Sequence, residues 1–249
     1  MSRRKQIETN KILVGLIVVI LVIILGYISP KLLNQIIDNP MQNEITYATS
    51  SNYLSSIPEY SLNSYIILNN NKPEFEEEKL NDKEFEKYSD LDSLGRCGVA
   101  FANICLDTMP SSNEERGNIS NIKPSGWINK KYEIVDGGYL YNRCHLIGYQ
   151  LSAENANEKN LITGTRYLNT EGMLPFENKI AEYVKESGNH VLYRVTPIYK
   201  GENLVASGVQ MEGQSVEDNG KGICFNIYCY NVQPGITINY KTGESKKSV

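Results

Sequence analysis

Two histidines, His145 and His190, are all that this 249-residue chain contains, and that scarcity excludes any three-histidine metal site. Surplus positive charge is missing as well. Lys+Arg number 25 against Asp+Glu 29, a net charge of -4 with a sequence pI near 5.4. A protein that coats nucleic acid by bulk positive charge is thereby excluded, whereas an enzyme that concentrates a few cations in a cleft is not. No Cys-x-x-Cys pair occurs among the five cysteines, which disfavours a structural zinc. With hydrophobic residues at 41% and charged residues at 22%, the chain is neither disordered nor polytopic in a membrane. Its length suits one sizeable domain plus an appendage, and no internal repeat is visible.

What is present begins with Ile12–Ile28, ILVGLIVVILVIILGYI, a run without a charge. As a helix it spans roughly 25 Å, enough for a hydrocarbon core of about 30 Å with modest thinning. Arg3, Arg4, Lys5 and Lys11 precede it, so the positive-inside bias keeps 1–11 cytoplasmic and exports the rest. A cleaved signal peptide is the competing reading, but GYISPKLL offers a poor small-x-small cleavage site. A buried core helix fits less well, because the run is apolar all round. The expectation is an uncleaved anchor at 12–28, a polar stalk at 29–59 and an extracellular domain at 60–249. On that exported side the cysteine count is odd. Cys97 and Cys105, if on one strand, lie roughly 26 Å apart and cannot bond each other. Most of the five are expected to act as small buried hydrophobes, with a disulfide left unassigned.

Along the domain, Ser64–Asn69 has strand character and ends in the turn-forming run Asn69–Pro73. Acidic residues dominate Pro73–Asp92, where Phe75, Leu80 and Phe85 suit one side of a short helix. Strands are predicted at Val99–Ile104 and Tyr139–Tyr141, then helices at Thr163–Gly172 and Pro175–Ser187. Pro175 suits a first helical position, and Phe176, Ile180, Tyr183 and Val184 share a face. VLYRVTPIY, LVASGVQME, ICFNIYCYNV and ITINYKTGE read as an antiparallel meander. The pattern is α+β: strands, a helical insert, then strands again.

Chemistry concentrates in Tyr139–Gln150, which contains Asn142, Arg143, Cys144 and His145. A lone histidine is more often structural than catalytic, so the downstream residues matter. Asn169 falls near the end of one predicted helix and Glu177 in the first turn of the next, although a helix dipole favours a glutamate there regardless. Histidine, amide and carboxylate at one cleft suit phosphodiester hydrolysis. Neutral imidazole takes a proton from water near neutral pH, and Mg2+ wants few protein oxygens while keeping its waters. Arg143 suits a phosphate, or else a structural ion pair. Arg116 and Lys123 suit a nucleic-acid backbone, Arg166 is a further candidate substrate contact, and Trp127 suits a core or cleft wall more than a base stack. His190 follows a turn signal and reads as a surface residue.

These segments resemble the DNA/RNA non-specific endonucleases of the ββα-metal fold, in the branch of membrane-bound DNA-entry nucleases and streptococcal secreted DNases. The resemblance runs from about Tyr60 to Glu244, through LDSLGRCGVAFANI, MPSSNEERGNISNIKPSGW, NRCHLIGYQL, KNLITGTRYLN and NVQPGITINYKTGE. It implies a central antiparallel sheet with a ββα metal site. The family's Asp-Arg-Gly-His motif falls on Asn142, Arg143, Cys144 and His145, giving His145 the general-base role. Asn169 matches the metal-binding asparagine, and Asn160 and Glu177 match polar residues that shape the metal site or hold its waters. Asn142 keeps a carbonyl but loses a charge, and Cys144 adds a side chain beside the base. The implied activity is metal-dependent cleavage of DNA, and of RNA as an alternative substrate, leaving a 5′-phosphate, with Mg2+ as cofactor and Mn2+ as a substitute. The rival reading is a surface nucleic-acid-binding module weakened in catalysis by those two departures.

Overall fold

The computed structural model describes residues 47–48, 56–81, 83–111, 113 and 116–248. Runs rich in β-branched and aromatic residues form the strands. They are β1 (Tyr47–Ala48), β2 (Tyr65–Leu68), β3 (Phe85–Tyr88), β4 (Ala100–Ile104), β5 (Tyr141–His145), β6 (Leu161–Thr165), β7 (Val191–Ile198), β8 (Gly208–Ser215), β9 (Cys224–Tyr230), β10 (Ile236–Ile238) and β11 (Ser245–Lys247). The helices are α1 (Tyr149–Ser152) and α2 (Leu174–Ser187), the latter preceded by a π-helical segment, Leu168–Met173.

Seven strands make the main sheet, in the order β1-β2-β9-β8-β7-β4-β3. All neighbours are antiparallel except β1 and β2. The expected meander is β7–β8–β9, but ITINYKTGE does not continue it: β10 pairs with β11 in a separate hairpin. Asn231 is the physical reason. Its buried side chain accepts from Thr165 N at 2.8 Å and donates to Thr163 O and Ala206 O, tying the chain to β6 just past the end of β9. The edge strand β1 falls within the stretch read as a stalk, so the sheet extends upstream of Tyr60. The predicted anchor, 12–28, lies outside the described residues. Among the described residues, no helix is long and apolar enough to cross a membrane.

One face of the sheet carries the core. Phe176, Ile180, Ala181 and Val184 of α2 pack with Cys144, Ile162 and Leu168 against Tyr193, Val195, Met211 and Ile227. Full burial of a large apolar side chain stabilises by about 1.5–3 kcal/mol, so this face dominates the energetics. The opposite face holds a smaller cluster, Ile66, Leu68, Tyr228 and Tyr230, with Ile57 and Tyr60 against it.

Four sequence readings need correction. Pro73–Asp92 forms no α-helix, only a single 3-10 turn at Glu77–Lys79 and then β3, because Phe85 packs edge-on to Phe101 of β4 at 4.9 Å. The strand expected at Tyr139–Tyr141 instead runs from Tyr141 to His145. Thr163–Thr165 belong to β6 rather than to a helix, paired with Tyr141–Arg143. Finally, the two predicted helices are one: helical structure starts at Arg166 and continues to Ser187. Pro175 therefore lies inside a helix. It has no N–H for the Glu171 carbonyl and its ring crowds that carbonyl. The helix widens just before it, with Leu174 N–H reaching back to Asn169 O in a π turn.

Candidate active site

Strand β5 ends on His145, β6 returns beside it, and the long helix follows. This strand–strand–helix unit gathers Arg116, Asn142, Arg143, His145, Gly148, Tyr149, Arg166, Asn169 and Glu177 around a cavity of about 340 Å³. Three separate stretches of the chain, at 116, 142–149 and 166–177, thus share one cleft.

His145 is only 6% exposed, and its ring is held on both sides. Nε2 lies 2.9 Å from the Asn155 carbonyl oxygen, and Nδ1 lies 3.3 Å from an Arg116 guanidinium nitrogen. A carbonyl only accepts and a guanidinium only donates, so the proton belongs on Nε2 and the lone pair on Nδ1. Burial is the main cause holding the imidazole pKa below its ordinary value. The Asn155 bond opposes the shift, and the Arg116 charge adds to it. The product is a neutral ring whose basic nitrogen faces a cation.

Glu177 is buried too, with Oε1 accepting from Gly148 N at 2.9 Å. Burial pushes its carboxyl up to about 7, against the pull of the Gly148 bond and of Arg116. Gly148 is required by close approach, since a Cβ there would sit 2.7 Å from Glu177 Oε2. Asn169 Oδ1 accepts from Cys144 Sγ at 3.2 Å. Cys144 is fully buried, and Gly164 on the neighbouring strand makes room for it: a Cβ at Gly164 would lie 2.5 Å from that of Cys144. Asn142 opens into the cavity with no side-chain hydrogen bond among the described residues.

The three arginines are held differently. Arg116 lies over the Tyr149 ring and reaches Asn155 Oδ1 at 3.4 Å. Arg143 donates to the backbone carbonyls of Ile122 and Ser120 and stacks on Trp127 at 4.4 Å, and among the described residues it has no acidic partner. Arg166 pairs with Asp136 at 2.8 Å. Two expected site residues stand apart. Asn160 is fully buried, with both ends of its amide bonded to the Ile147 backbone at 2.9 and 3.0 Å, so it fixes the chain after His145 instead of facing the cavity. Lys123 is exposed and lines neither this cavity nor the one beside it. His190 is half-buried, its Nδ1 2.6 Å from Glu217 Oε1 and outside the cavity. Sequence reading missed Asn155, which acts through a backbone carbonyl that no side-chain pattern reveals. It also missed the part played by Tyr149, which stands within NRCHLIGYQL, and by Asp136, which a loop brings in from outside the motifs.

Side chains with oxygen donors that line the cavity include Asn142, Asn169, Glu177 and Gln150. No cluster of three His, Cys, Asp or Glu side chains suited to a metal exists among the described residues. A hard divalent cation that keeps several waters fits this set better than a closed structural ion does.

Known structures share the architecture. NucA from Streptococcus agalactiae, with a magnesium ion bound, superposes with a TM-score of 0.67, covering 81% of this chain and 99% of its own at 24% identity. The Sda1 nuclease, with a bound zinc ion, gives 0.67 over 76% of this chain and 100% of its own at 26% identity. The family model for DNA/RNA non-specific endonucleases matches residues 76–217, from the 3-10 turn before β3 to just past β8. Since that match takes in more than half of the chain, including the whole strand–strand–helix unit, the protein belongs to the DNA/RNA non-specific endonuclease family.

Proposed function

We propose that this protein is a membrane-anchored extracellular endonuclease that hydrolyses phosphodiester bonds of DNA, and of RNA, without sequence specificity. The observation that carries the reading is the fixed tautomer of His145: a neutral ring with its Nδ1 lone pair turned into a cleft lined by three guanidiniums and by the oxygens of Asn142, Asn169 and Glu177. His145 Nδ1 accepts a proton from the attacking water. Arg116 leaves that nitrogen for the incoming phosphate, since a guanidinium matches two phosphate oxygens better than one imidazole. Arg143 and Arg166 steady the same charge. Asn169 and Glu177, with Asn142 beside them, would hold a divalent cation such as Mg2+, which when bound neutralises charge on the phosphate and on the leaving oxygen. Contacts of this kind touch phosphate and not base edges, so sequence is not read.

The test is plasmid digestion by the full chain in detergent micelles, with Mg2+ and with EDTA. His145→Ala is expected to lose about 10²–10⁴-fold in rate. His190→Ala, whose ring sits against Glu217 away from the cavity, cuts normally. A His145→Ala protein that cuts within a few-fold of wild type would overturn the assignment, and a wild-type protein that binds DNA but never cuts would point to a binding module instead.

A further inference from the structure

Next to the candidate active site lies a second cavity, of about 490 Å³, which shares Asn142, Arg143 and Arg166 with it. That volume is of the order that holds a small ligand, roughly 300–1,000 Å³. Beside the two shared guanidiniums the cavity is lined by Trp127, Tyr139 and the Asp136 carboxylate, with Arg166 held by Asp136 at 2.8 Å and Arg143 lying 4.4 Å over the Trp127 ring. Tyr139 is 48% exposed, with the Lys131 ammonium 4.8 Å from its ring centroid. A tight turn presents it: Lys131 bridges Tyr139, Tyr132 N bonds Gly138 O at 2.8 Å, and Gly137 and Gly138 adopt φ of 73° and 81°. Trp127 is a fixed wall, covered by Arg143 and tilted against Tyr141 at 6.4 Å.

A chain of phosphates does not suit a cavity in which the Asp136 carboxylate is 81% exposed. One phosphate at the guanidiniums and an uncharged planar ring on Tyr139 describe a nucleotide. We propose that this cavity receives the base of the nucleotide adjoining the scissile phosphate, laid against Tyr139, with Trp127 under its covering Arg143 as a further wall. The proposal rests on the nuclease reading above and adds a substrate preference to it. Inside a duplex both faces of a base are covered by its neighbours, so an aromatic wall can take a base only from a single strand or after it leaves the stack. Unpaired strands are therefore bound in preference to duplex. Base identity is not read, because every base offers a π face.

Trp127 is the only tryptophan in the chain, so its emission reports on this cavity alone. The full chain in micelles and EDTA, where cutting is suppressed, is titrated with three probes. They are a short single-stranded oligonucleotide, the same strand annealed to its complement, and an abasic strand of equal phosphate number. The single strand is expected to quench Trp127 saturably, and the duplex and the abasic strand far less. Tyr139→Ala, at an exposed position, weakens single-strand binding by about 5- to 150-fold, the range of one lost base stack, and Tyr139→Phe retains it. Equal quenching by all three probes, or wild-type binding by Tyr139→Ala, overturns the proposal. Plasmid digestion by the same preparation keeps the two readings apart. Cutting without base-dependent quenching removes the base site alone, whereas base-dependent quenching without cutting upholds the site and removes the nuclease reading.

Discussion

Arg116 and Asn155 grip the His145 ring from opposite sides and act on its basicity in opposite directions. The base works only when neutral, so a pKa held below the ordinary value near 6.5 extends activity toward acid. Removing the cation with Arg116→Ala raises that pKa, and the acidic limb of kcat/KM against pH moves upward. Asn142→Asp, which restores the family's carboxylate in the same cavity, favours the imidazolium and moves the limb the same way. Paired pH–rate curves check both, and coincident acidic limbs would show that neither charge is felt at the ring. The thiols make a second residue-scale prediction. All five cysteines are free; Cys224 is exposed while Cys97, Cys105, Cys144 and Cys229 are buried. Burial also pushes the Cys97 pKa up to about 11, further from the reactive thiolate. A thiol reagent is expected to titrate one group in the native protein and five in denaturant, and a count of three or more under native conditions would contradict the packing. At this scale the side chains of the site were largely legible, because motifs name side chains. Asn155 was not, since its contribution is a backbone oxygen.

Between elements, the β5–β6 pair carries the chain's departure from its family. Cys144 stands where the sequence resemblance places a glycine, and its Cβ occupies space that only a glycine at 164 leaves open. Gly164→Ala is expected to destabilise by about 1–3 kcal/mol through overpacking. Cys144→Gly alone costs stability by leaving a void in the core beside Met173. Combining them places the new methyl at 164 in space that the Cys144 side chain vacates, so the double variant loses less than the sum of the two singles. Denaturant melts of all four proteins measure the coupling, and strict additivity would show that the two positions do not sense each other. The same pair explains why the helix prediction at Thr163 failed. Leu161–Thr165 carries too weak a local signal to decide between strand and helix, and pairing to β5 decides it. Likewise Pro175 marks a helix start by local rules, yet a π turn carries the helix through it and sets Asn169 beside the same cleft as Glu177.

For the whole molecule, the compact unit Ile45–Val249 takes its sheet from residues as far apart as Tyr65 and Cys229, which pair where β2 lies against β9, with β1 at the edge. This bears on the proposed anchor. External protease acting on cells should release a soluble nuclease cut upstream of Tyr47, between about Lys31 and Ile45, because β1 is hydrogen-bonded into the sheet. Membrane fractions should retain the intact chain, whereas a mature N-terminus just after Ser29 in culture fluid would reveal a cleaved signal. By itself the sequence determined the α+β class, the β7–β8–β9 strands, the apolar face of α2 and the cluster of motifs around His145. Each of these is written in local periodicity or in side-chain identity at short spacing. Only the tertiary structure decided the proton position on His145, the withdrawal of Asn160 behind the site, the single helix through Pro175 and the aromatic cavity behind Tyr139. Those depend on contacts between residues distant in the chain, where burial and hydrogen-bond geometry are fixed by packing and leave no periodic trace in the sequence.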